Sequence, residues 1–562
     1  MFKNTPESFA DVVVFAPTDP SKNFFTYSLP QKLSKVIAIG QLVSVPWGKK
    51  TTHGIVIEIK NQTQVKNPKP LKKILLSTPL LLPKYIELLK WMSWYYHAPM
   101  IDCLKAILPE TRISHIANDQ SLKKIKKDDK RQAISDKQIL ILVPNINQIS
   151  LVLPKQKRSK DILIYHKQLP KKELWRAWWE VYQGKTSQIL GTRSALFAQC
   201  PNLTEIRIIN EEDSSFKDMQ SPYFDTLKVA AKLCQISGAK LRIETLTPRV
   251  ETYFNFVKKL VKKKPKNRPK ITIIDLSRER KSGNRKDISD TLRNILIGKI
   301  GLKKRVLLFL NRLKESGQVY CLECKFSGYS QTAPSFCPNC KGGKFKFFSL
   351  NLRLVGKQLA KLAPTVGLKL VTEGKTTIIQ EGTPTITLAT SAIFSQDLPK
   401  FSLIGVISVD TILNLPDFNS SFRTFSTLIK LTQLADKDCE VLIQTSNPQH
   451  LSIKSAQNWD FEKFYQEELV LRKKLELPPF ATLAKLTIKL KDQEKARFEA
   501  EKLTRILEKK SLLVEISEPI QNWQSKPEFN IILKAKKRED LDNVLSHVTV
   551  KWKVVVDPDS LL

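Results

Sequence analysis

The sequence has no uninterrupted apolar run approaching the ~20 residues that a membrane-spanning helix needs, and no membrane association is expected. Its first residues, MFKNTPESFADVVVF, lack the basic-then-apolar layout of a secretory signal. The cytoplasm is therefore the expected compartment. Internal repeats are absent. Acidic side chains are in short supply, with 54 Asp and Glu against 93 Lys and Arg, a formal net charge of +39. Such a deficit points to a polyanionic partner, nucleic acid foremost, over the alternative of plain lysine-rich solvated faces. Charge alone does not separate DNA from RNA. Cysteine is sparse as well. Four of the eight are scattered singly, at Cys103, Cys200, Cys234 and Cys439. In a reducing compartment they read as small buried hydrophobes.

What is present is enough chain, 562 residues and 41% hydrophobic, for roughly three to five domains at ~100–200 residues each. Residues 9–60 hold the short β-rich runs FADVVVFAP, FFTYSLP, QLVSVPWG and HGIVIEIK, broken by Pro and Gly. The helix-spaced LLLPKYIELLKWMSWYYHAP follows, so a β-barrel-like module with a helix is predicted over 1–112. A charged linker, 113–137, comes next. QILILVPN, DILIYH, SQILGTRS, TEIRIIN and KLRIETLTP then alternate with helical segments and predict a parallel sheet over 138–257. After the basic stretch 258–270, a second such series (ITIIDL, RVLLFLN, TITLAT, LIGVISVD, EVLIQTS) predicts another α/β lobe over 258–475. The remainder, 476–562, reads as a small α+β domain. The fold class expected is multidomain α/β.

The most specific local signal is VYCLECKFSGYSQTAPSFCPNCKGGKF. Its two CxxC pairs, Cys321 with Cys324 and Cys337 with Cys340, let two tight turns offer four thiolates to one tetrahedral zinc ion. Four thiolates leave no open coordination position, so the predicted ion is structural, in a ribbon over about 318–349. Two redox pairs or buried cysteines are the alternatives. Lys341, Lys344 and Lys346 beside it either face a nucleic acid or keep the ribbon soluble.

Several segments together resemble bacterial primosomal protein N′, the PriA replication-restart helicase family. They are FFTYSLP, VSVPWGKKTTHGIVIEI, WYYHAP with ILPE, GTRSALF, NEEDSSFKD, TLTPRVE, VLLFLNR, LPDFNSSFRTF, LIQTSNPQH and ELVLRKKLELPPF, in family order over nearly the whole chain. The resemblance implies an N-terminal domain for a DNA 3′ end, a winged helix, two RecA-like lobes, a zinc insertion in the second lobe and a small C-terminal domain. It also implies ATP-driven 3′-to-5′ unwinding at stalled forks. By that likeness Phe25, Tyr27, Gly48, Lys49 and Lys72 form a pocket for the terminal nucleotide, while Thr192 and Arg193 touch a DNA backbone. An aromatic face stacks a base, Gly admits close backbone approach and Lys meets phosphate. Tyr27, Tyr95 and Tyr96 read equally as core; Phe216, Tyr223 and Phe224 fall where the family has an aromatic-rich segment linking DNA to the motor, with interlobe packing as the other reading. Where the family has Asp between the two aromatics, Thr26 stands here.

The departures cluster on the nucleotide site. No phosphate loop precedes LILVPN, and the winged helix has no residues left to form it. QGKTS (183–187) and EGKTT (373–377) lack the first Gly of the motif, Trp179 and Lys369 standing there. The family's DEEH is Asn210, Glu211, Glu212 and Asp213, and a neutral amide holds a magnesium water shell less well than a carboxylate. The family's GTE is replaced near SLNLRL. Its GRAGR arginine is missing, the chain passing from Ala435 to Cys439 through Asp-Lys-Asp. Only one zinc set is present where the family has cysteines for two. Phosphate cradle, metal carboxylate and arginine finger are the parts phosphoryl transfer depends on. The expectation is two degenerate lobes, no catalytic residues, and doubtful use of ATP and magnesium. The function expected is a DNA-binding protein at forked or 3′-ended DNA, with single-strand-binding protein and replicative helicase loader as candidate partners. An active divergent helicase and a primosome interaction scaffold are the alternatives.

Overall fold

The computed structural model describes residues 8–16, 22–109, 135–153, 162–256, 268–284, 286–311, 317–324, 327–330, 334–337, 340–348, 350, 352–372, 375–382, 385–415, 417–522 and 528–561. The basic stretch 122–131, most of 258–270 and residues 373–374 of EGKTT lie outside them. The chain forms two compact units. The first is Met1–Thr245 with Ala484–Leu486 and Leu545–Asp557, and the second is Leu246–Leu483 with Thr487–Val544 and Pro558–Leu562.

The first unit opens with strands β1 (Phe9–Val14), β2 (Phe25–Ser28), β3 (Leu42–Trp47), β4 (Lys50–Lys60) and β5 (Lys73–Ile74). They form one antiparallel sheet in the order β2-β1-β4-β3-β5. Strict alternation puts Ala10, Val12 and Val14 of β1 into a core with Tyr27, Val43, Val45 and Val56. Helices α1 (Pro83–Tyr95) and α2 (Met100–Ile107) follow; Pro83 sits at the first helical position, where its missing N–H has no intrahelical partner to lose.

The second sheet of this unit is parallel. It is built from β6 (Gln138–Leu142), β7 (Ile162–Tyr165), β8 (Gln188–Gly191), β9 (Leu203–Ile209) and β10 (Lys240–Glu244), in the order β10-β9-β6-β8-β7. The intervening helices are α3 (Ile146–Val152), α4 (Lys171–Tyr182) and α5 (Thr226–Ser237). Asn145 caps α3 and Asp225 caps α5 through their side chains, as the sequence pattern requires of helix starts. Gly191 ends β8 against β7, where a Cβ would lie 1.9 Å from the carbonyl oxygen of Tyr165, so only glycine closes the sheet there.

In the second unit, α6 (Val250–Phe256), β11 (Lys270–Asp275), α7 (Leu276–Lys281), α8 (Asp290–Gly301) and β12 (Val306–Phe309) lead into a ribbon of β13 (Gly317–Cys321), β14 (Ser327–Ser330) and β15 (Phe345–Phe348). The lobe resumes with α9 (Leu352–Leu362), β16 (Gly367–Thr372), β17 (Lys375–Gln380), β18 (Thr385–Ala389), β19 (Phe401–Val406), α10 (Ser420–Thr432) and β20 (Ala435–Thr445). Its seven strands run β11-β20-β19-β12-β18-β16-β17, all parallel except β17, with separate apolar cores on the two faces. Helices α11 (Leu451–Asn458) and α12 (Phe461–Lys474) follow, then β21 (Thr482–Lys489), α13 (Gln493–Glu508), β22 (Val514–Ile516), β23 (Ile520–Asn522), β24 (Glu528–Ala535) and α14 (Arg538–Leu545). β24 lies between β22 and β21 and also pairs with β23. The result is multidomain α/β, with a ribbon inserted in the second lobe.

Candidate DNA-binding and metal sites

On the first sheet, β2 turns Phe25 and Tyr27 toward the core face. Phe25 is half-buried and meets Trp47 edge to face, with ring centroids 4.8 Å apart. Tyr27 is 4% exposed, and its hydroxyl donates to the carbonyl oxygen of Pro46 at 3.3 Å. Burial pushes the Tyr27 phenol up to about 12. Its ring is therefore core, and the half-buried aromatics at this end of the sheet are Phe25 and Trp47. The β3–β4 hairpin then turns at Gly48, whose φ of 57° is left-handed and whose Cβ position is open space. Lys49 is exposed at that tip, and Lys72 is exposed beside β5. Among the five residues expected here, the fold brings Phe25, Gly48 and Lys49 to one end of the hairpin, adds Trp47, and withdraws Tyr27.

The opposite face of β2 supplies what the sequence reading missed. Thr26 stands in register with Asp11 of β1, and its hydroxyl donates to Asp11 Oδ1 at 2.6 Å. Lys60 Nζ pairs with Asp11 Oδ2 at 2.7 Å and lies 5.9 Å from the ring centroid of the exposed Phe24. A carboxylate is thus present beside Thr26, contributed by the neighbouring strand and 3% exposed. Only strand register reveals it, because Asp11 and Thr26 are far apart in sequence.

In the parallel sheet, Gly184 and Lys185 of QGKTS serve as a helix end. Gly184 has φ 71° and donates its N–H to Val181, while Lys185 N–H reaches the carbonyl oxygen of Glu180. Those N–H groups close α4 in a glycine C-cap and are spent on its own carbonyls. EGKTT falls where β16 turns into β17, and Lys375 begins that antiparallel strand. Among the described residues, none forms a strand–glycine loop–helix unit leading into β6.

The acidic cluster after β9 is turned inward. Asn210 has φ 55°, and its side-chain amide donates to Gln148 Oε1 at 3.5 Å. Glu211 is fully buried, Glu212 accepts from Thr245 Oγ1 at 2.5 Å, and Asp213 caps the short turn Ser214–Phe216 through Ser215 N–H. Thr192 lies 3.3 Å from Ser194 Oγ, while Arg193 pairs with Asp218 at 3.2 Å and donates to the carbonyl oxygen of Ser215. Arg193 therefore braces the segment after the acids, while Thr192 stays within its own turn. Phe216 and Phe224 are buried, and Tyr223 packs under Lys553 at 4.5 Å. The Asp-Lys-Asp run between Ala435 and Cys439 is part of β20, with Ser402 donating to Asp436.

The four ribbon cysteines converge, their sulfurs all within 4.8 Å of one another. Cys321 and Cys340 are 3.6 Å apart, Cys324 and Cys337 3.7 Å. A tetrahedron with ~2.3 Å zinc–sulfur bonds has edges of ~3.8 Å, so the cage fits zinc. Backbone N–H groups of Cys324 and Gly342 point at Cys321 and Cys340 sulfurs, the donors a thiolate needs. The four residues can hold one structural ion.

A family model described as 3′DNA-binding domain (3′BD), that of PriA, matches residues 11–109. The replication restart protein PriA of Bacillus subtilis is 27% identical over 74% of this chain and 58% of its own length. That of Rickettsia conorii is 24% identical over 92% of this chain and 94% of its own. This chain thus spans little more than half of the first of these relatives and nearly all of the second. Among solved structures, RecG bound to a three-way DNA junction superposes with a TM-score of 0.34 at 10% identity, covering 59% of this chain and 40% of that one; so loose a fit carries no argument. The N-terminal sheet and the helices after it thus carry the match to a PriA 3′ DNA-binding domain, and most of the chain is similar in sequence to replication restart proteins PriA.

Proposed function

We propose that this protein binds forked or single-stranded DNA carrying a free 3′ end, through its N-terminal module, with lost or strongly reduced ATP turnover. The observation that carries the reading is the match of residues 11–109 to a 3′ DNA-binding domain on a sheet whose hairpin leaves Gly48 open and Lys49 exposed beside Phe25 and Trp47. Those groups are the kind that accept a base face and a phosphate. The energetic half of the reading rests on chemistry. Phosphoryl transfer is nearly all positioning and charge stabilisation. The backbone donors of Gln183, Gly184 and Lys185 in QGKTS are committed to a helix end, and Asn210 stands where a metal-holding carboxylate would serve. The ribbon zinc would be structural. Candidate partners, by family likeness, are single-strand-binding protein and a replicative helicase loader in the cytoplasm.

The test is anisotropy of labelled forked DNA with a free or a phosphorylated 3′ end, with an ATPase assay on the same samples. Blocking the end should weaken binding ~10-fold, the effect of ~1.4 kcal/mol, and ATP should change nothing. Turnover near ~10 per second, an ordinary enzyme rate, would overturn the second half. Indifference to the blocked end would overturn the first.

A further inference from the structure

From Cys324 to Thr372 the chain contains no Asp or Glu and eight Lys or Arg. α9 occupies the middle of that run. Leu352, Val355 and Leu359 bury its inner face against the lobe core, and Gly356 lets it sit close to Ile379 and Leu388. The outer face shows Arg353, Lys357 and Lys361, all exposed. They fall at i, i+4 and i+8, one line along the helix ~12 Å long.

An ordinary solvated helix mixes its signs. α13 in the same unit does so: its Lys495, Arg497, Lys502 and Arg505 are interleaved with Glu494, Glu499, Glu501 and Glu508, and Arg497 pairs with Glu501 at 2.9 Å. α9 has no acid of its own. From outside the helix, Asp287 accepts from Gln358 at 3.3 Å on the edge of the stripe. Like charges four apart disfavour a helix, and Arg353 lies in the first turn, where the helix dipole also disfavours a cation. Lys357 and Lys361, four apart on the exposed face, repel one another, and a polyanionic ligand would offset that repulsion.

We infer that the outer face of α9 is a docking surface for the phosphate backbone of double-stranded DNA, separate from the 3′-end site. Duplex DNA carries one charge per ~1.7 Å of axis, so a ~12 Å line of three cations lies beside several phosphates. No aromatic side chain stands on the exposed face of α9, so it offers no stacking platform for unpaired bases. The contact is to backbone and indifferent to sequence. The inference takes from the proposed function only the choice of polyanion.

The test uses the full chain, a blunt duplex with both 3′ ends blocked, and a single strand with a free 3′ end, over a salt series. The Arg353→Gln/Lys357→Gln/Lys361→Gln variant should lose ~10-fold or more in duplex affinity, with a salt slope shallower by ~2–3, while single-strand binding holds. A variant with equal charge loss on α13, Lys495→Gln/Arg497→Gln/Lys502→Gln, should bind duplex as the parent does. Unchanged duplex affinity and slope in the α9 variant overturns the inference, as does an equal loss in the α13 variant. So does capture by phosphatidylserine vesicles with the duplex ignored. If the triple variant melts early, Lys357→Gln alone reads the same effect, a slope change of ~0.9. Failure of the 3′-end reading would appear separately, as indifference of the single strand to blocking.

Discussion

At the scale of single residues, the informative position is Asp11. The motif FFTYSLP has Thr where the family has a carboxylate, which reads as a loss. The fold sets a carboxylate beside that threonine from β1, held by Thr26 at 2.6 Å and Lys60 at 2.7 Å. Because Asp11 is 3% exposed and Lys60 keeps 30% of its side-chain surface, removing the acid frees a lysine that can still reach water. Asp11→Asn should therefore cost about 1.5–3 kcal/mol, the range of hydrogen bonds to charged groups, rather than the more severe penalty of a fully buried broken pair. Chemical denaturation measures it. Tyr27→Phe is the companion. It removes one long hydrogen bond to Pro46 and leaves the buried ring, so stability should fall by about 1 kcal/mol or less, with DNA affinity unchanged by anisotropy. A large affinity loss from Tyr27→Phe would return that hydroxyl to the binding site.

At the scale of elements, the ribbon depends on its ion. Its described core is Val319, Cys321 and Cys337 with Cys324 and Phe345 packed against them. So small a cluster cannot offset the ordering of three strands, and metal binding supplies the difference. A strong chelator, or Cys337→Ser, should open the ribbon to protease between β13 and β15 while the seven-stranded lobe keeps its protection. Limited proteolysis with zinc quantitation checks it; a ribbon resistant without metal would contradict the site. This element was legible from the sequence because ligand spacing is a local property. The strands were legible for the same reason, since runs such as DVVVF, LILVP and EIRII carry their period in a few residues. Register was not. The pairing of Asp11 with Thr26, the bracing of Asp218 by Arg193 and the spending of the QGKTS amides on α4 all depend on where the chain returns. A motif names residues by type, and burial then decides which of them keep a free face, as Phe25 does and Tyr27 does not.

At the scale of the whole molecule, stability should respond to acid in two stages. Burial holds three histidines, His53, His166 and His450, below their ordinary value. Lys73 adds to the effect at His53, and Glu468 partly opposes it at His450. The folded chain keeps them neutral while the unfolded chain takes up protons below ~6.5. The unfolded state then binds more protons, so stability falls as pH drops through that window. The second stage belongs to a cluster that gathers distant parts of the first unit. Asp557 receives Tyr95 Oη at 2.7 Å and Lys228 Nζ at 2.5 Å, while Lys217 Nζ donates to the carbonyl oxygens of Val556 and Asp557. Burial pushes the Asp557 carboxyl up, but Lys228 and Lys217 outweigh it and hold the group below its usual range. The stability it contributes is present above ~3.9 and lost as pH falls through the lower folded value. Melting temperature against pH should therefore decline from pH 7 toward 5, then more steeply below about 4. His53→Asn should flatten the first decline in part. Asp557→Asn should lower the neutral-pH melting point and flatten the second decline in part. A variant that keeps the parent's melting point at pH 7 and its full acid slope would show that the Asp557 cluster is not what holds these segments together.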